Sequence, residues 1–307
     1  MRQQRILLLV HAVLFAGMAL AQHTPITTQY LFNGLLINPA YAGSREALTA
    51  NLTYRQQWVG FDGAPTTQLL SIHSPVGGTK LGLGFIIYND RIGVSRETGL
   101  MTNYAYRMRL GKGKLAMGLG AGLKVMQADW SEVRTTTAGD VEFANDSRST
   151  LSPNFSAGAY YSDQHWFAGL SLPFILSQRY DAESGTWDVR NDTRQYQPML
   201  TAGRLVDLNR DLKLKPSVLL RKAGGNPLQA DLNLNLIWRS CFWIGASYRT
   251  MDAVCFSVEV LPTKQFRIGY AYDLGINALS TYHQGSHEVM LQYEFGYSVH
   301  AKDPRYF

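Results

Sequence analysis

The chain has 307 residues and a formal net charge of +6, with 46% hydrophobic and 12% aromatic side chains. No Lys/Arg cluster marks a nucleic-acid surface, and beyond the leader no run of roughly 18 apolar residues marks a helical membrane span. Two cysteines, Cys241 and Cys255, are too few for a disulfide framework.

Residues 1–21 read as a secretory signal peptide. Arg2 and Arg5 precede an almost wholly apolar stretch from Ile6 to Ala16, and Ala19-Leu20-Ala21 offers a small-residue cleavage site before Gln22. Cleavage there removes two arginines and lowers the charge from +6 to +4. Residues 22–44 form a separate N-terminal segment containing "LLINPAYAG". Asn38-Pro39 breaks it as helix or strand, yet Leu31, Phe32, Leu35, Leu36, Ile37 and Tyr41 require burial. The segment is expected to pack at or in the periplasmic mouth of the domain that follows. The alternatives are a plug inside the lumen and a docking strip for a periplasmic partner.

After residue 44 the chain alternates with period two almost throughout, and amphipathic helices are absent. In "LQADLNLNLIW", Leu228, Ala230, Leu232, Leu234, Leu236 and Trp238 share one face, and Gln229, Asp231, Asn233 and Asn235 the other. "KLAMGLGAGLKV" and "EVMLQYEFGY" repeat the pattern, which specifies strands with one apolar and one polar face. About fourteen strands are expected, at 45–57, 66–75, 79–90, 96–110, 113–128, 151–161, 164–172, 195–207, 211–222, 228–239, 241–250, 253–261, 264–273 and 286–298. The gaps between them alternate between long and tight. The long ones include Asp129–Thr150, Pro173–Arg194 and Leu274–Gly285; the tight ones read "VGG", "GK", "SD", "LNR" and "PT".

That rhythm places every long loop at one end of an antiparallel meander. The expected fold is an all-β antiparallel transmembrane β-barrel, with short periplasmic turns and long extracellular loops, over residues 45–298. A periplasmic tail, 299–307, follows it. A soluble β-sandwich also alternates, but it carries charge on its outer face and buries the apolar one. Here the polar face is mostly Gly, Ala, Ser, Asn and Gln with scattered charge, as in a wet, filled lumen. Tyr54, Trp58, Tyr88, Tyr104, Tyr106, Tyr160, Tyr161, Trp166, Trp238, Trp243, Tyr270 and Tyr272 lie near strand ends, where an interfacial girdle belongs.

Arg55, Arg107, Arg109, Lys124, Arg204, Arg249, Glu259, Arg267, Glu288 and Glu294 are assigned to the lumen, where mixed signs form either a selective pore or internal ion pairs. His283, Ser286, His287, Glu288 and Asp273 invite a hydrolase or metal reading. "HEVML" lacks a second histidine and sits in a strand, so Gly285–Glu288 reads as a structural turn. The glycines of "GLGFI" and "GLGAG" open no helix and mark places where the sheet bends and packs closely. No cofactor or metal site is expected. If strands 241–250 and 253–261 form a hairpin, the two cysteines lie roughly 23 Å apart along it, beyond disulfide reach.

"QYLFNGLLINPAYAGS", "LTANLTYRQQWVGFDGAPTTQLLSIHSPV" and "FRIGYAYDLGINALSTYHQGSHEVMLQYEF" together resemble the PorP/SprF family of type IX secretion and gliding-motility membrane proteins. The resemblance runs from about Gln29 to Tyr297 and is most specific at its two ends. It marks Asn38, Pro39, Tyr41, Gly43, Trp58, Asp273, His287 and Glu288 as motif positions with structural roles. It implies an outer-membrane barrel of Bacteroidetes-type bacteria without catalytic activity. Such proteins act beside the type IX machinery, some in secretion or gliding, others holding a large secreted adhesin at the cell surface. A diffusion channel for small solutes and an outer-membrane hydrolase are the rival classes.

The expected partners are the C-terminal domain of a secreted surface protein, other type IX components including periplasmic peptidoglycan-associated ones, and outer-membrane lipid. Long ordered loops on a rigid scaffold are where binding usually resides. Asp129, Glu132, Asp140, Glu142 and Asp146 of one loop, and Tyr180, Asp181, Glu183, Trp187 and Asp188 of the other, are therefore the candidate partner-binding residues.

Overall fold

A computed structural model describes residues 27–133, 146–181, 184–222 and 227–296. The expected signal peptide, the tail 299–307, and Asp140, Glu142 and Glu183 lie outside the described residues. The strands are β1 (Leu48–Gln56), β2 (Thr66–Pro75), β3 (Leu81–Ile92), β4 (Ser95–Leu110), β5 (Gly113–Ala128), β6 (Thr150–Ser162), β7 (Trp166–Leu172), β8 (Ser177–Asp181), β9 (Thr186–Arg190), β10 (Met199–Arg204), β11 (Val206–Asp207), β12 (Leu212–Arg221), β13 (Gln229–Trp238), β14 (Phe242–Arg249), β15 (Ala253–Val260), β16 (Phe266–Gly275) and β17 (Ser286–Phe295).

Each barrel strand runs antiparallel to its neighbours, and two closures complete the ring. β1 pairs with β17 from Leu48↔Phe295 to Gln56↔His287, and β10 pairs with both β7 and β12. β11 continues β10 in the same register on β12. The interruption between them faces Pro216, a residue with no N–H to give a ladder, while on the other side Leu205 donates its N–H to His165 O and extends the pairing with β7. Counting β10 and β11 as one strand, the protein is a closed 14-strand antiparallel β-barrel. β8 and β9 form a separate hairpin within the loop after β7. With arms of only five residues each, this hairpin shows no alternation long enough to mark strands in the sequence.

Burial is inverted relative to a water-soluble sheet. On β13, Leu232, Leu234 and Trp238 are 53%, 49% and 48% exposed, while Asp231, Asn233 and Asn235 are buried. β1 repeats this, with Leu48, Leu52 and Tyr54 outside and Thr49, Asn51, Thr53 and Arg55 inside. An apolar band facing out and a polar face turned in is the pattern imposed when the surrounding medium is lipid. Ring closure pairs the backbone groups that lipid cannot satisfy. No helix among the described residues is long and apolar enough to cross a membrane.

The girdle assignment needs correction at three positions. Tyr54, Tyr104, Tyr106, Trp166, Trp238 and Tyr270 are exposed on the outer face, but Tyr88, Tyr160 and Trp243 are buried inside. Each of the three is in phase with a polar lumen residue: Tyr88 with Asp90, Tyr160 with Ser156, Trp243 with Arg249. Arg204 moves the other way. It stands on the outer face, 4.8 Å from the Trp166 ring, rather than in the lumen.

Candidate functional site: the plugged lumen and its loop-end cap

Two features set this barrel apart from a bare ring of strands: a segment inside it, and folded loops over one end. The loop end carries 57–65, 129–149, 173–198 and 276–285; the turn end carries 76–80, 111–112, 163–165 and 261–265.

Residues 27–44 run down the inside of the barrel from the loop end to the turn end. Tyr30, Phe32, Leu35, Leu36, Ile37, Ala40, Tyr41 and Ala42 are all buried, and each large apolar side chain contributes about 1.5–3 kcal/mol relative to exposure in water. The expected position at one mouth covers only the lower part of this path. "NPAYAG" shows why the chain takes it. The Asn38 side chain accepts the Ala40 N–H at 2.9 Å and donates to Ala159 O at 2.9 Å, which caps a 3₁₀ turn, Pro39–Tyr41, and ties it to β6. Ala40 and Ala42 fit because β5 and β3 present glycines to them. A Cβ on Gly118 would stand 2.2 Å from Ala40 N, and one on Gly82 would stand 2.2 Å from Ala42 O. Tyr41 packs edge-on against His73 and Tyr160, with centroids 5.5 and 5.4 Å away. Gly43, at φ +69°, turns the chain out and donates its N–H to His73 Nδ1 at 3.0 Å.

The upper end of the plug is held by charge. Glu288 on β17 accepts the N–H groups of Thr28 (2.7 Å) and Gln29 (2.9 Å). Asp273 on β16 accepts the Thr28 hydroxyl. Arg55 on β1 binds both carboxylates, at 2.7 Å to Asp273 and 3.0 Å to Glu288. Arg249 reaches Asp231 and Asp273. Lower down, Arg45 pairs with Glu294, and Arg267 with Glu259. Phe32 lies between two cations: Lys215 Nζ is 5.8 Å and the Arg267 guanidinium 4.9 Å from its ring. Arg55, Arg249, Glu259, Arg267, Glu288 and Glu294 thus form internal ion pairs around the plug, whereas Arg107 and Arg109 stand at its turn end. Asn33, Arg45 and Lys215 belong to the same polar interior and were missed in the sequence; the available signals were polar residues in or beside an otherwise apolar segment for Asn33 and Arg45, and the strand phase shared with Ser217 on β12 for Lys215.

Two other motif residues sit near the same rim but outside the lumen. Trp58 adopts φ +46° and donates its N–H to Ser286 Oγ at 3.2 Å. The adjacent Val59 exchanges backbone hydrogen bonds with Gln284 and Gly285, joining loop 57–65 to loop 276–285. His287 faces outward beside Tyr270, whose hydroxyl is 2.6 Å from Nδ1, and Tyr272. Neighbouring Ser286 and Glu288 point inward, so His287 and Asp273 lie on opposite faces and form no catalytic grouping. Among the described residues, no cluster of His, Cys, Asp and Glu could hold a metal.

The described residues of the two longest loops at that end pack against one another. Trp130, Tyr180 and Trp187 form one aromatic stack, with Tyr180 centred 5.4 Å from Trp130 and 5.2 Å from Trp187. The β8–β9 hairpin is bound to the other loop by Arg148 N–H to Gly185 O and by Trp187 N–H to Thr150 Oγ1. Its base enters the barrel, where Ser177 and Gln178 are buried and Asn154 Nδ2 donates to Leu176 O. The candidate partner residues therefore divide into two sets. Asp146 accepts from the Ser131 N–H and hydroxyl, which hold its carboxyl below the usual range, and Asp181 accepts from Ser184. Tyr180 and Trp187 are half-buried in the stack. Asp129, Glu132 and Asp188 stand exposed on the outer surface of the cap.

A family model described as type IX secretion system membrane protein PorP/SprF matches residues 19–293. No match was found among curated proteins. Among solved structures, the Ralstonia pickettii toluene transporter TbuX aligns with a TM-score of 0.52 at 10% identity, over 86% of this chain and 94% of that one. The P. putida toluene transporter TodX gives 0.49 at 9% identity, over 89% and 95%. Acinetobacter baumannii Omp33 gives 0.47 at 6% identity, over 82% and 100%. At such identities the likeness to TbuX speaks for the barrel fold alone.

Proposed function

The chain belongs to the PorP/SprF family of type IX secretion system membrane proteins, and on that premise we propose that it anchors or receives a secreted surface protein at its loop end. It is an integral outer-membrane β-barrel of the secretion machinery. One observation carries the finer reading: the loops are far longer than closure requires, and their described residues pack into a cap around Trp130, Tyr180 and Trp187. A pre-ordered surface loses little conformational entropy on binding. Exposed Asp129 and Glu132, with Asp188 paired to Arg190 and with exposed Arg148, Arg179 and Arg194, give it a charged outer face of mixed sign toward the C-terminal domain of a surface protein. Association with other secretion components follows from the family; the surface protein as partner is the proposal.

The rival reading, a diffusion channel, meets an obstacle in the lumen. Residues 27–44 occupy it and are tied to the wall by Arg55, Asp273 and Glu288. A steady open pore requires that segment to leave. Single-channel recording in planar bilayers separates the two readings: the anchor predicts a silent barrel, and a large steady conductance from the intact protein contradicts it.

A further inference from the structure

We propose that the turn-end mouth binds an acidic peptide segment of a soluble partner, in a basic cavity where the plug leaves the barrel. The cavity measures about 560 Å³ and gathers four cations, Lys80, Arg107, Arg109 and Lys114, around a single carboxylate, Glu46. Glu46 is taken by Lys114, and Arg107 donates to the Ala42 carbonyl at the end of the plug. Lys80 and Arg109 remain exposed at the rim, and among the described residues neither joins an ion pair. The Ser44 hydroxyl on the same wall has no hydrogen-bond partner.

The position of the cavity selects the ligand. Arg107 and Arg109 continue the inward phase of Asn103 and Ala105 on β4, and Tyr160 that of Asn154 and Ser156 on β6. The cavity therefore lies inside the ring and opens to solution beneath it, out of reach of bilayer lipid on the outer wall. Its lining mixes the cations with Pro75, Ala116 and Tyr160. Carboxylates on a polypeptide satisfy both parts, with charge meeting the rim and neighbouring apolar side chains meeting the floor. The site is at the end opposite the loop cap, so it stands apart from the anchoring proposal. Because Arg107 also holds Ala42, a carboxylate bound there competes directly with the tie that seats the plug.

The test uses the purified full-length barrel in detergent and a fluorescein-labelled hexapeptide, Asp-Glu-Tyr-Asp-Glu-Leu, followed by fluorescence anisotropy. Saturable binding that weakens as salt is raised is expected. The double variant Lys80→Glu/Arg109→Glu should weaken it by about tenfold or more. Lys112→Glu, a charge reversal on the adjacent turn outside the cavity, should leave it nearly unchanged, and heat-modifiable migration in electrophoresis establishes that each variant is folded. The proposal is overturned if the peptide does not saturate, or if Lys112→Glu weakens binding as much as the double variant. Displacement by inorganic phosphate as effective as that by unlabelled peptide also overturns it, since the site would then take any small anion.

Discussion

Arg55 and Asp273 lie 2.7 Å apart inside the barrel, on strands that do not touch, with β17 between them. The pair spans the seam where the first and last strands meet and encloses Thr28 of the plug, whose hydroxyl accepts from Arg55 at 2.9 Å. One guanidinium thus secures both the closure of the ring and the segment that fills it. Removing one partner of a buried pair leaves an uncompensated charge and costs about 3–5 kcal/mol. Arg55→Ala should lower the denaturant midpoint of the detergent-solubilised barrel accordingly, and Arg55→Lys should recover part of the loss. A midpoint unchanged in Arg55→Ala would show that the seam is held elsewhere.

Membrane depth should be readable on β13. Leu234 is exposed on the outer face near the middle of its strand, where an arginine costs about 2–4 kcal/mol, against about 0–1 near the interface. Leu234→Arg should impair assembly, and Leu228→Arg, just before the strand at its loop end, should be tolerated. Asn233 is a poorer control than its polarity suggests, because its side chain donates to the Tyr30 hydroxyl at 2.8 Å and any larger residue strikes the plug. Equal effects of arginine at Leu234 and Leu228, measured as the folded fraction in outer-membrane preparations, would argue against a lipid-facing wall.

Gly118 offers a way to unseat the plug without touching charge. Any side chain there meets the backbone of Ala40 and Pro39, a clash that rotamer changes cannot relieve. Gly118→Leu should keep the barrel in the membrane, expose residues 38–43 to added protease, and convert a silent barrel into a conducting one. A folded Gly118→Leu barrel that stays silent and resistant would mean the lumen is closed by something other than this turn.

The cysteines should be independent thiols. Cys255 is buried opposite Ser247 and Asp273, whereas Cys241 is half-exposed at the turn end. In the folded barrel a maleimide should modify Cys241 alone, and both only after denaturation. A cross-linked Cys241–Cys255 peptide in a non-reducing digest would contradict the register of β14 and β15.

Strand number and strand faces were legible because alternation records them directly, and "LNLNLIW" states its two faces without help; ring closure followed from the long and short gaps and the need to pair every backbone group in lipid. The aromatics were legible only by phase. Trp243 shares the inward phase of Arg249, so its place follows from its neighbours and not from its nearness to a strand end. The path of residues 27–44 was not legible, since an irregular segment has no period and its seats are glycines on distant strands. Gly82 and Gly118 read as bends until Ala42 and Ala40 stand beside them. The β8–β9 hairpin escaped because each arm is only five residues long. Asp273 and Glu288 could be marked from the motif, but that they grip Thr28 and Gln29 is visible only in the folded chain.

The anchoring role is tested most directly by replacing loops 129–149 and 173–198 with short Gly/Asn turns. The fourteen strands and the Arg55–Asp273 seam lie outside both segments, so the trimmed protein should still reach the outer membrane as a heat-modifiable barrel. The quantity to measure is the partition of secreted surface protein between cells and medium. Release into the medium from cells carrying the trimmed barrel is the predicted result. Surface protein that remains on those cells would contradict the claim that the loop-end cap holds it.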